Sequence, residues 1–478
     1  MKNFIYNGIH SKVSKDLIKS FSNALKPKNL VCISSLDEKN FSMNDCENFI
    51  NIRYSDAIYG QYDQNNSAID DELLRSLAPY LFTTLKMMER NSPELVYSFD
   101  DRLKIYHSQV RFWNDIIEKH QIECFIGINY PHEIYDYIIY TLCKVKKIKT
   151  LFFCQTQVNG YIQLISDIEE NDLALKINPA SLSHIEMSSL SPIMQQHFDS
   201  QSENYAAPFY MEINQNQLKK DFSLASKLKK ITSPLQKIFK KLLEVKPIPL
   251  PKIASHFFFT FKFGTPAEKN LIKAYEQISQ VPDLAKSFFY LPLHFQPECT
   301  TCPQGGHFVN QELMIDVVLK SLPENVFLYV KEHPFQRPHG RSPDFYEHFA
   351  NHKNLVFIKK SFDSQILIKH SKGVITVTGT AGWEALFKKK NVLLFGNIFF
   401  QYAPGVFQVN SVASCQKAIE SCLSGKNAPT GQDMINYLHH LEQHLIRGWI
   451  DELYSKHSAI SFDENLAHLK DSLLNKTL

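Results

Sequence analysis

A cation, a carboxylate and an imidazole follow one another directly after an apolar, β-rich run at residues 326–330. They are Lys331, Glu332 and His333, and Pro334 ends any further ladder pairing. This order places polar groups at the carboxyl end of a strand, where a lysine and a histidine can donate to phosphate oxygens. Two tasks are open for Glu332: it contacts the ligand, or it orients His333 or pairs with Lys331.

A tight turn, Thr378-Gly379-Thr380, connects a second apolar run at residues 373–377 with helix-forming residues at 381–387. The free N–H groups at the start of such a helix, with two threonine hydroxyls, suit a phosphate. Five of the sixteen glycines lie between residues 373 and 405, which indicates close backbone approach or positive φ. Together the two motifs predict an anion site; the alternative is a pair of ordinary strand-to-helix connections.

Further polar residues lie on the same predicted edge, because ligands of open α/β sheets bind beyond the carboxyl ends of the strands. Gln296 and Glu298 follow a strand-like run at residues 287–293, and Glu384 follows the turn. The set fits a nucleotide, with Glu384 accepting from ribose hydroxyls or a base amine. Arg341 is assigned to a solvated loop. The predicted nucleotide-binding residues are Gln296, Glu298, Lys331, Glu332, His333, Pro334, Thr378, Gly379, Thr380 and Glu384.

Candidates for catalysis come from the first half of the chain. His132 and Glu133 follow a strand-like run at residues 123–128, and a base there can accept the proton of an acceptor hydroxyl. Asp167 is a second source of a carboxylate. For Glu133 the alternative is a favourable interaction with the dipole of the helix that it begins. The predicted catalytic residues are therefore His132, Glu133 and Asp167.

No metal or cofactor is predicted, because the chain has no Asp-x-Asp triplet to hold a metal-bound diphosphate. Cys299 and Cys302, with His294 on the predicted edge and His307, have the residue types of a zinc site. The prolines and glycines around them equally describe a loop. The nine cysteines show no framework spacing otherwise, which predicts reduced thiols.

Strand-like and helix-like runs alternate on both sides of a basic stretch, which predicts two Rossmann-like α/β domains facing each other across a cleft. We divide the chain into an N-terminal domain at 1–215, a basic helix and Pro-rich linker at 216–255, a nucleotide-binding domain at 256–430, and C-terminal helices at 431–478 that pack back.

The basic stretch carries ten lysines between residues 219 and 252, against one aspartate and one glutamate, on a helical pattern with an apolar side. Prolines at 247, 249 and 251 then stiffen the chain. One interpretation is a domain linker preceded by a solvated helix. The other is an interfacial helix that holds the protein near anionic lipid or an anionic glycan.

Composition and charge limit the classes of partner that we expect for this protein. The formal net charge of +3 over 478 residues predicts no nucleic-acid partner. A hydrophobic fraction of 44% and a charged fraction of 21% are those of a globular protein. The amino terminus lacks the apolar core of a secretory signal and no apolar run of about 18 residues occurs, so we expect a cytoplasmic protein.

The segments 293–298, 330–334 and 376–386 resemble the bacterial capsule polysaccharide biosynthesis family, whose members include Kdo transferases. The resemblance covers about residues 120–405. It implies a GT-B fold in which the N-terminal domain binds the acceptor and the C-terminal domain binds the nucleotide sugar, typically CMP-Kdo. A CMP donor carries one phosphate and needs no bridging metal, in agreement with the missing Asp-x-Asp.

The same resemblance implies that His333 contacts the donor phosphate and that Thr378 and Thr380 complete its site. The acidic and glycine-rich amino-terminal motifs of retaining Kdo transferases are missing, so the stereochemical outcome stays open.

Three functions agree with these residues. The first is a glycosyltransferase that moves Kdo or another nonulosonic acid from CMP onto a bacterial surface polysaccharide or glycolipid such as lipopolysaccharide, with peripheral contact to the inner membrane through residues 219–252. The second is a polyol-phosphate polymer transferase of the teichoic-acid type, which carries a Ser/Thr-Asp-Tyr-Ser-Ser type run that this chain lacks. The third is a non-catalytic glycan-binding protein.

Overall fold

Strands and helices alternate along most of the chain, for which the computed structural model describes residues 1–35, 41–59, 68–91, 98–176, 184–202, 265–338 and 340–478. The strands are β1 (Asn3–Ile9), β2 (Asn29–Ser34), β3 (Asn48–Arg53), β4 (Cys124–Gly127), β5 (Lys149–Gln155), β6 (Tyr161–Ile165), β7 (Phe288–Pro292), β8 (Phe327–Lys331), β9 (Leu355–Ile358), β10 (Val374–Thr376), β11 (Val392–Leu394), β12 (Val406–Gln408) and β13 (Ile446–Arg447). The helices are α1 (Lys12–Leu25), α2 (Tyr54–Tyr59), α3 (Asp71–Asn91), α4 (Phe99–Lys119), α5 (Ile134–Val145), α6 (Pro192–Ser202), α7 (Thr265–Ile278), α8 (Gln311–Ser321), α9 (Pro343–Ala350), α10 (Ser364–His370), α11 (Thr380–Phe387), α12 (Val412–Ser424), α13 (Gly431–His444) and α14 (Phe462–Thr477).

The first sheet has seven strands in the order β13-β6-β5-β4-β1-β2-β3. Its members β3, β2, β1, β4 and β5 are parallel, and β6 and β13 pair antiparallel at one edge. Helices cover both faces, so β2, β4 and β6 are buried along their whole length. One face packs on α3, α4 and α5, and the other on α1 and α14.

The second sheet has six parallel strands in the order β12-β11-β10-β7-β8-β9. One face packs on α7, α8, α9 and α12, and the other on α6, α10, α11 and α13. Because all six strands are parallel, their carboxyl ends lie on one edge of the sheet. From the central strands β7 and β10 the chain continues in opposite directions, to β8 and to β11. Both polar motifs described above lie on this edge.

Two segments cross between the domains. Helix α6, which the predicted division at residue 215 assigns to the first domain, packs on the second sheet, and Trp383 donates its indole N–H to His197 of α6 at 2.9 Å. In the opposite direction, β13 pairs with β6 and α14 packs on α1. The predicted linker at 216–255, with the lysine-rich stretch at 219–252, lies outside the described residues.

The predicted fold class is confirmed: two α/β domains with parallel sheets and a helical C-terminal end. The apolar runs that predicted strands are the central strands of each sheet, because only strands covered on both faces are apolar at every position.

Candidate nucleotide-binding site

The two domains enclose a cavity of about 500 Å³ at the facing carboxyl edges of their sheets. The first domain contributes the residues that follow β5, namely Gln155, Thr156 and Gln157. The second domain contributes residues that follow β7, β8 and β10 and the first residues of α10 and α11. Tyr454, from the segment between β13 and α14, completes the wall.

Most of the predicted nucleotide-binding residues line this cavity. They are Glu298, Lys331, Glu332, His333, Pro334, Thr378, Gly379, Thr380 and Glu384. Gln296 does not line it. Its side-chain amide donates to the Val309 carbonyl, and Gln296 lines a second cavity of about 340 Å³ instead. Two motifs that are about 45 residues apart in sequence thus share one cavity because their strands, β8 and β10, both lie beside β7.

The His333 imidazole is held in one tautomer by its own loop. Its Nδ1 accepts the backbone N–H of Phe335 at 3.2 Å, so in the neutral ring the proton lies on Nε2. Burial, together with the charges of Lys360, Arg341 and Lys331, lowers the pKa of His333 to about 4. At neutral pH the ring is therefore uncharged and offers one N–H donor, at Nε2.

The Glu332 carboxylate is buried and fully occupied. Its Oε1 accepts the backbone N–H of His333 at 2.6 Å, while Oε2 accepts from the Arg341 Nε at 3.1 Å and from the Tyr346 hydroxyl at 2.7 Å. Of the two tasks open for Glu332, the geometry supports orientation of His333, and its cationic partner is Arg341 rather than Lys331. The placement of Arg341 in a solvated loop is wrong, since its side chain is only 3% exposed.

Lys331 keeps one donor for a ligand. Its ammonium donates to the Phe362 carbonyl at 2.6 Å and to the Ser364 hydroxyl at 2.8 Å. An ammonium has three N–H groups, so one is left for the cavity that Lys331 lines. Burial lowers the pKa of Lys331, opposed by the nearby charge of Asp363.

The turn before α11 is fixed by Thr376 and Thr378. The Thr376 hydroxyl oxygen accepts the Gly379 N–H at 2.9 Å, and the Thr378 hydroxyl donates to the Thr300 carbonyl. The proton of the Thr378 hydroxyl is thus used within the protein, which leaves Thr380 and the backbone as donors of the turn. A Cβ at Gly379 would lie 2.7 Å from the Thr376 hydroxyl oxygen, so close approach, not positive φ, requires this glycine.

Two carboxylates also line the cavity. Glu384, 5% exposed, accepts from the Gln365 side-chain amide at 2.7 Å, and Glu298 accepts from the Thr300 hydroxyl at 2.7 Å. A carboxylate accepts hydrogen bonds, so the group type of Glu384 and its place in the cavity wall agree with the predicted contact with hydroxyl or amine donors of a nucleoside.

The cavity lining does not include the predicted catalytic residues His132, Glu133 and Asp167. The Nδ1 of His132 lies 2.6 Å from the Tyr130 carbonyl, which can only accept, so Nδ1 carries a proton. Its Nε2 lies 3.6 Å from a carboxylate oxygen of Glu133. Glu133 is the N-cap residue of α5 and makes no side-chain cap hydrogen bond, so of the alternative role only the interaction with the helix dipole is open to it.

Asp167 has a structural environment. One oxygen forms an ion pair with Lys144 at 2.8 Å, and the other accepts the backbone N–H groups of Glu169 at 2.7 Å and Glu170 at 3.1 Å. Burial alone would raise the pKa of Asp167, but these contacts outweigh it and lower the pKa. One oxygen thus bonds to α5 and the other to the turn after β6, which leaves little acceptor capacity for a substrate.

Several cavity residues were missed from the sequence. Gln155, Thr156 and Gln157 follow an apolar run at residues 151–154, so the rule that located the other motifs applies to them as well. Ser364 and Gln365 begin α10, and the N-cap residue Asp363 was a usable signal for the start of that helix. Tyr454 gave no local signal, because only the return of the C-terminal segment brings it to the cavity.

The zinc alternative receives no support from the described residues, in which no three His, Cys, Asp or Glu side chains are grouped to hold a metal ion. Cys302 is buried, and its thiol lies 3.6 Å from the Thr83 carbonyl. In the described ranges, every helix is too short or too polar to cross a bilayer.

Fold and cavity define the class: a two-domain α/β protein with a cavity between the carboxyl edges of two sheets, into whose wall both polar motifs are built. A family model described as "Capsule polysaccharide biosynthesis protein" matches residues 300–438. The predicted resemblance to that family is confirmed over this segment, which contains both motifs. No curated protein matches the chain.

Solved structures with a similar chain course include three from different organisms. KpsC, a β-Kdo 2,7 transferase of Thermosulfurimonas dismutans, is 10% identical, with 84% of this chain and 97% of that chain covered and a TM-score of 0.30. The UDP-GlcNAc 2-epimerase of Methanocaldococcus jannaschii is 10% identical, with coverage of 91% and 97% and a TM-score of 0.25. A glycosyltransferase of Rickettsia africae is 12% identical, with coverage of 99% and 97% and a TM-score of 0.26. We draw no functional conclusion from likenesses at these TM-scores.

Proposed function

We propose that this protein is a glycosyltransferase that moves a sugar from a nucleotide donor onto a bacterial surface polysaccharide or glycolipid, and that the donor is CMP-Kdo or another CMP-linked nonulosonic acid. One observation carries the proposal: the His-Pro motif at 333–334 and the turn at 378–380 share one cavity. The family match at residues 300–438 supports the capsule-synthesis class.

The residues of the second domain fit a nucleoside monophosphate group. His333 donates from Nε2, Lys331 supplies its remaining N–H, and the start of α11 supplies backbone donors. These donors stabilise the negative charge that develops on the phosphate when it leaves the sugar. Glu384 accepts from ribose hydroxyls or a base amine. In this mechanism, the donors of the protein replace a metal, so no cofactor is proposed.

The acceptor side is assigned to the first domain. His132, with its proton on Nδ1, is the proposed base that takes the proton of an acceptor hydroxyl, and Glu133, 3.6 Å from its Nε2, would stabilise the cation that forms. Asp167 is the weaker candidate because both its oxygens are occupied. We further propose a cytoplasmic location with peripheral contact to the inner membrane through residues 219–252.

The first experiment is thermal unfolding of the purified protein with CMP, CDP, UDP and GDP in turn. A ligand at 100 times its dissociation constant stabilises a protein by about 2.7 kcal/mol. We expect selective stabilisation by CMP. The substitution His333→Ala should weaken CMP binding by about 1.5–3 kcal/mol, because a hydrogen bond to a charged group is lost.

The control is His184→Ala, since His184 is exposed and does not line the cavity. Preference for CDP, UDP or GDP would change the proposed donor. The absence of any response would favour the non-catalytic alternative, and unchanged CMP affinity in His333→Ala would refute the role of His333.

A further inference from the structure

A second histidine, His294, lines the cavity and has no role in the proposed donor site so far. It follows β7 and is 8% exposed. Its backbone is fixed on both sides: its N–H donates to the Gln311 side-chain oxygen at 2.9 Å, and its carbonyl accepts from the Gln311 amide and from the Arg341 guanidinium, each at 3.3 Å. The ring is therefore held rigidly at the cavity wall.

Hydrogen bonds determine which ring nitrogen carries the proton. The backbone N–H of Thr378 donates to the His294 Nε2 at 3.3 Å, and a backbone N–H cannot accept. The Thr376 hydroxyl lies 3.0 Å from the same Nε2, and it is free to donate because its oxygen takes the Gly379 N–H. Nε2 is therefore an acceptor, and the proton lies on Nδ1. Burial, with the charges of His333 and Arg341, lowers the pKa of His294 to about 3, so the ring is neutral.

The Nδ1–H of His294 has no hydrogen-bond partner among the described residues, although the ring is more than nine-tenths buried and lines the cavity. This nitrogen is not one of the fully enclosed polar atoms that lack a partner in the described residues, so its N–H is open to a ligand or to water. His333 is in the opposite state: its Nδ1 accepts from the backbone and its Nε2 carries the proton. Both rings line one cavity, and they carry their protons on opposite nitrogens.

We infer that His294 is a second ligand-binding residue, whose Nδ1–H donates to an oxygen of the donor phosphate alongside the Nε2–H of His333. A phosphate has several unshared oxygens, so it can accept from both rings, from Lys331 and from the start of α11 at once. This inference rests on the proposed function only in taking a nucleotide phosphate as the ligand. It adds that Nε2 of His294 also positions the turn, through Thr378.

Amide variants test the two ring nitrogens of each histidine one at a time. The polar atoms of asparagine lie close to the Nδ1 position, and those of glutamine lie close to the Nε2 position. The variant His294→Gln keeps an acceptor for Thr378 and removes the cavity donor, whereas His294→Asn keeps the donor position and removes that acceptor. For His333 the assignment is reversed. We would measure CMP and cytidine affinity and the melting temperature for all four variants.

We expect a crossed pattern. His294→Gln and His333→Asn should lose CMP affinity about 10- to 100-fold with little change in melting temperature or in cytidine affinity, since each removes a hydrogen bond to a charged group. His294→Asn and His333→Gln should retain CMP affinity within a few fold. A merely structural His294 would give the opposite result: His294→Gln would bind CMP as the unsubstituted protein does.

The inference and the proposed function fail in different ways. If UDP or GDP binds in place of CMP, the proposed donor is wrong, and the four variants are measured with that nucleotide and its nucleoside. Wild-type affinity in His294→Gln refutes the inference whichever nucleotide binds. An equal loss of cytidine affinity refutes the assignment to phosphate. Failure of His294→Gln to fold contradicts the acceptor role given to Nε2, and failure of the unsubstituted protein to bind any nucleotide refutes both proposals.

Discussion

Replacement of Arg341 by alanine should destabilise the second domain more than any change to a surface ion pair. Arg341 is 3% exposed and its partner Glu332 is 0% exposed. The guanidinium donates to Glu332 at 3.1 Å and to the His294 carbonyl at 3.3 Å, and it lies 4.3 Å from the centre of the Phe345 ring. It therefore joins the loops that carry both cavity histidines.

The magnitude follows from what remains after the substitution. Glu332 keeps the Tyr346 hydroxyl and the His333 N–H but loses the one cation that hydrogen-bonds to it in the described part of the chain. Removal of one partner from a buried pair costs about 3–5 kcal/mol. Because two neutral donors remain, we expect about 3 kcal/mol, a large fraction of a typical stability of about 5–15 kcal/mol. The double variant Arg341→Met with Glu332→Gln should recover part of this loss, since no buried charge is left.

Urea unfolding followed by fluorescence would measure the effect. The chain has three tryptophans, so replacing Trp113 and Trp449 by phenylalanine leaves Trp383 as the reporter of the second domain. The control is Lys353→Ala, which breaks an ion pair of the same domain whose side chains are 72% and 92% exposed and should cost about 0–1 kcal/mol. A cost for Arg341→Ala no larger than for Lys353→Ala would show that the buried pair does not hold the loops.

Three further predictions concern pH, the turn and the base. Burial lowers the pKa of His197 to about 4, whereas a histidine in the unfolded chain takes up a proton near pH 6.5. The contribution of His197 to the free energy of unfolding should therefore fall by about 1.4 kcal/mol per pH unit as the pH drops from 6.5 towards 4. Urea midpoints at pH 7.5 and 5.5 should therefore differ less in His197→Gln, and an equal difference would contradict the assignment. Gly379→Ala should lower CMP affinity because its Cβ would meet the Thr376 hydroxyl at 2.7 Å, while Gly431→Ala, whose nearest atom is 3.8 Å away, should leave affinity unchanged. Finally, His132→Ala should abolish sugar transfer and leave CMP affinity unchanged, as measured by product formation and by titration; full activity would exclude His132 as the base.

The central strands and the helices of both domains were predictable because the order of apolar and polar residues indicates which positions are buried. The sequence pattern predicts helices near 71–89, 101–120 and 310–322, and these correspond to α3, α4 and α8 within one or two residues. Of the edge strands in the two sheets, β3, β12 and β13 gave weaker patterns, since an edge strand needs no apolar residue at every position, whereas the apolar run of β9 at 355–358 predicts a strand. The packing of α6 on the second domain has no sequence signal, because an apolar helix face does not specify its partner.

Within the candidate site, the sequence by itself determined which strand ends carry polar groups, since a parallel α/β sheet places them all on one edge. The tertiary structure decided how each group is used. It turned Glu332 into a buried partner of Arg341, occupied the hydroxyl proton of Thr378, and brought Tyr454 to the cavity from the far end of the chain. It also fixed the tautomers of His294 and His333. These outcomes depend on contacts between residues distant in sequence or on the local path of the backbone, neither of which residue type and spacing specify.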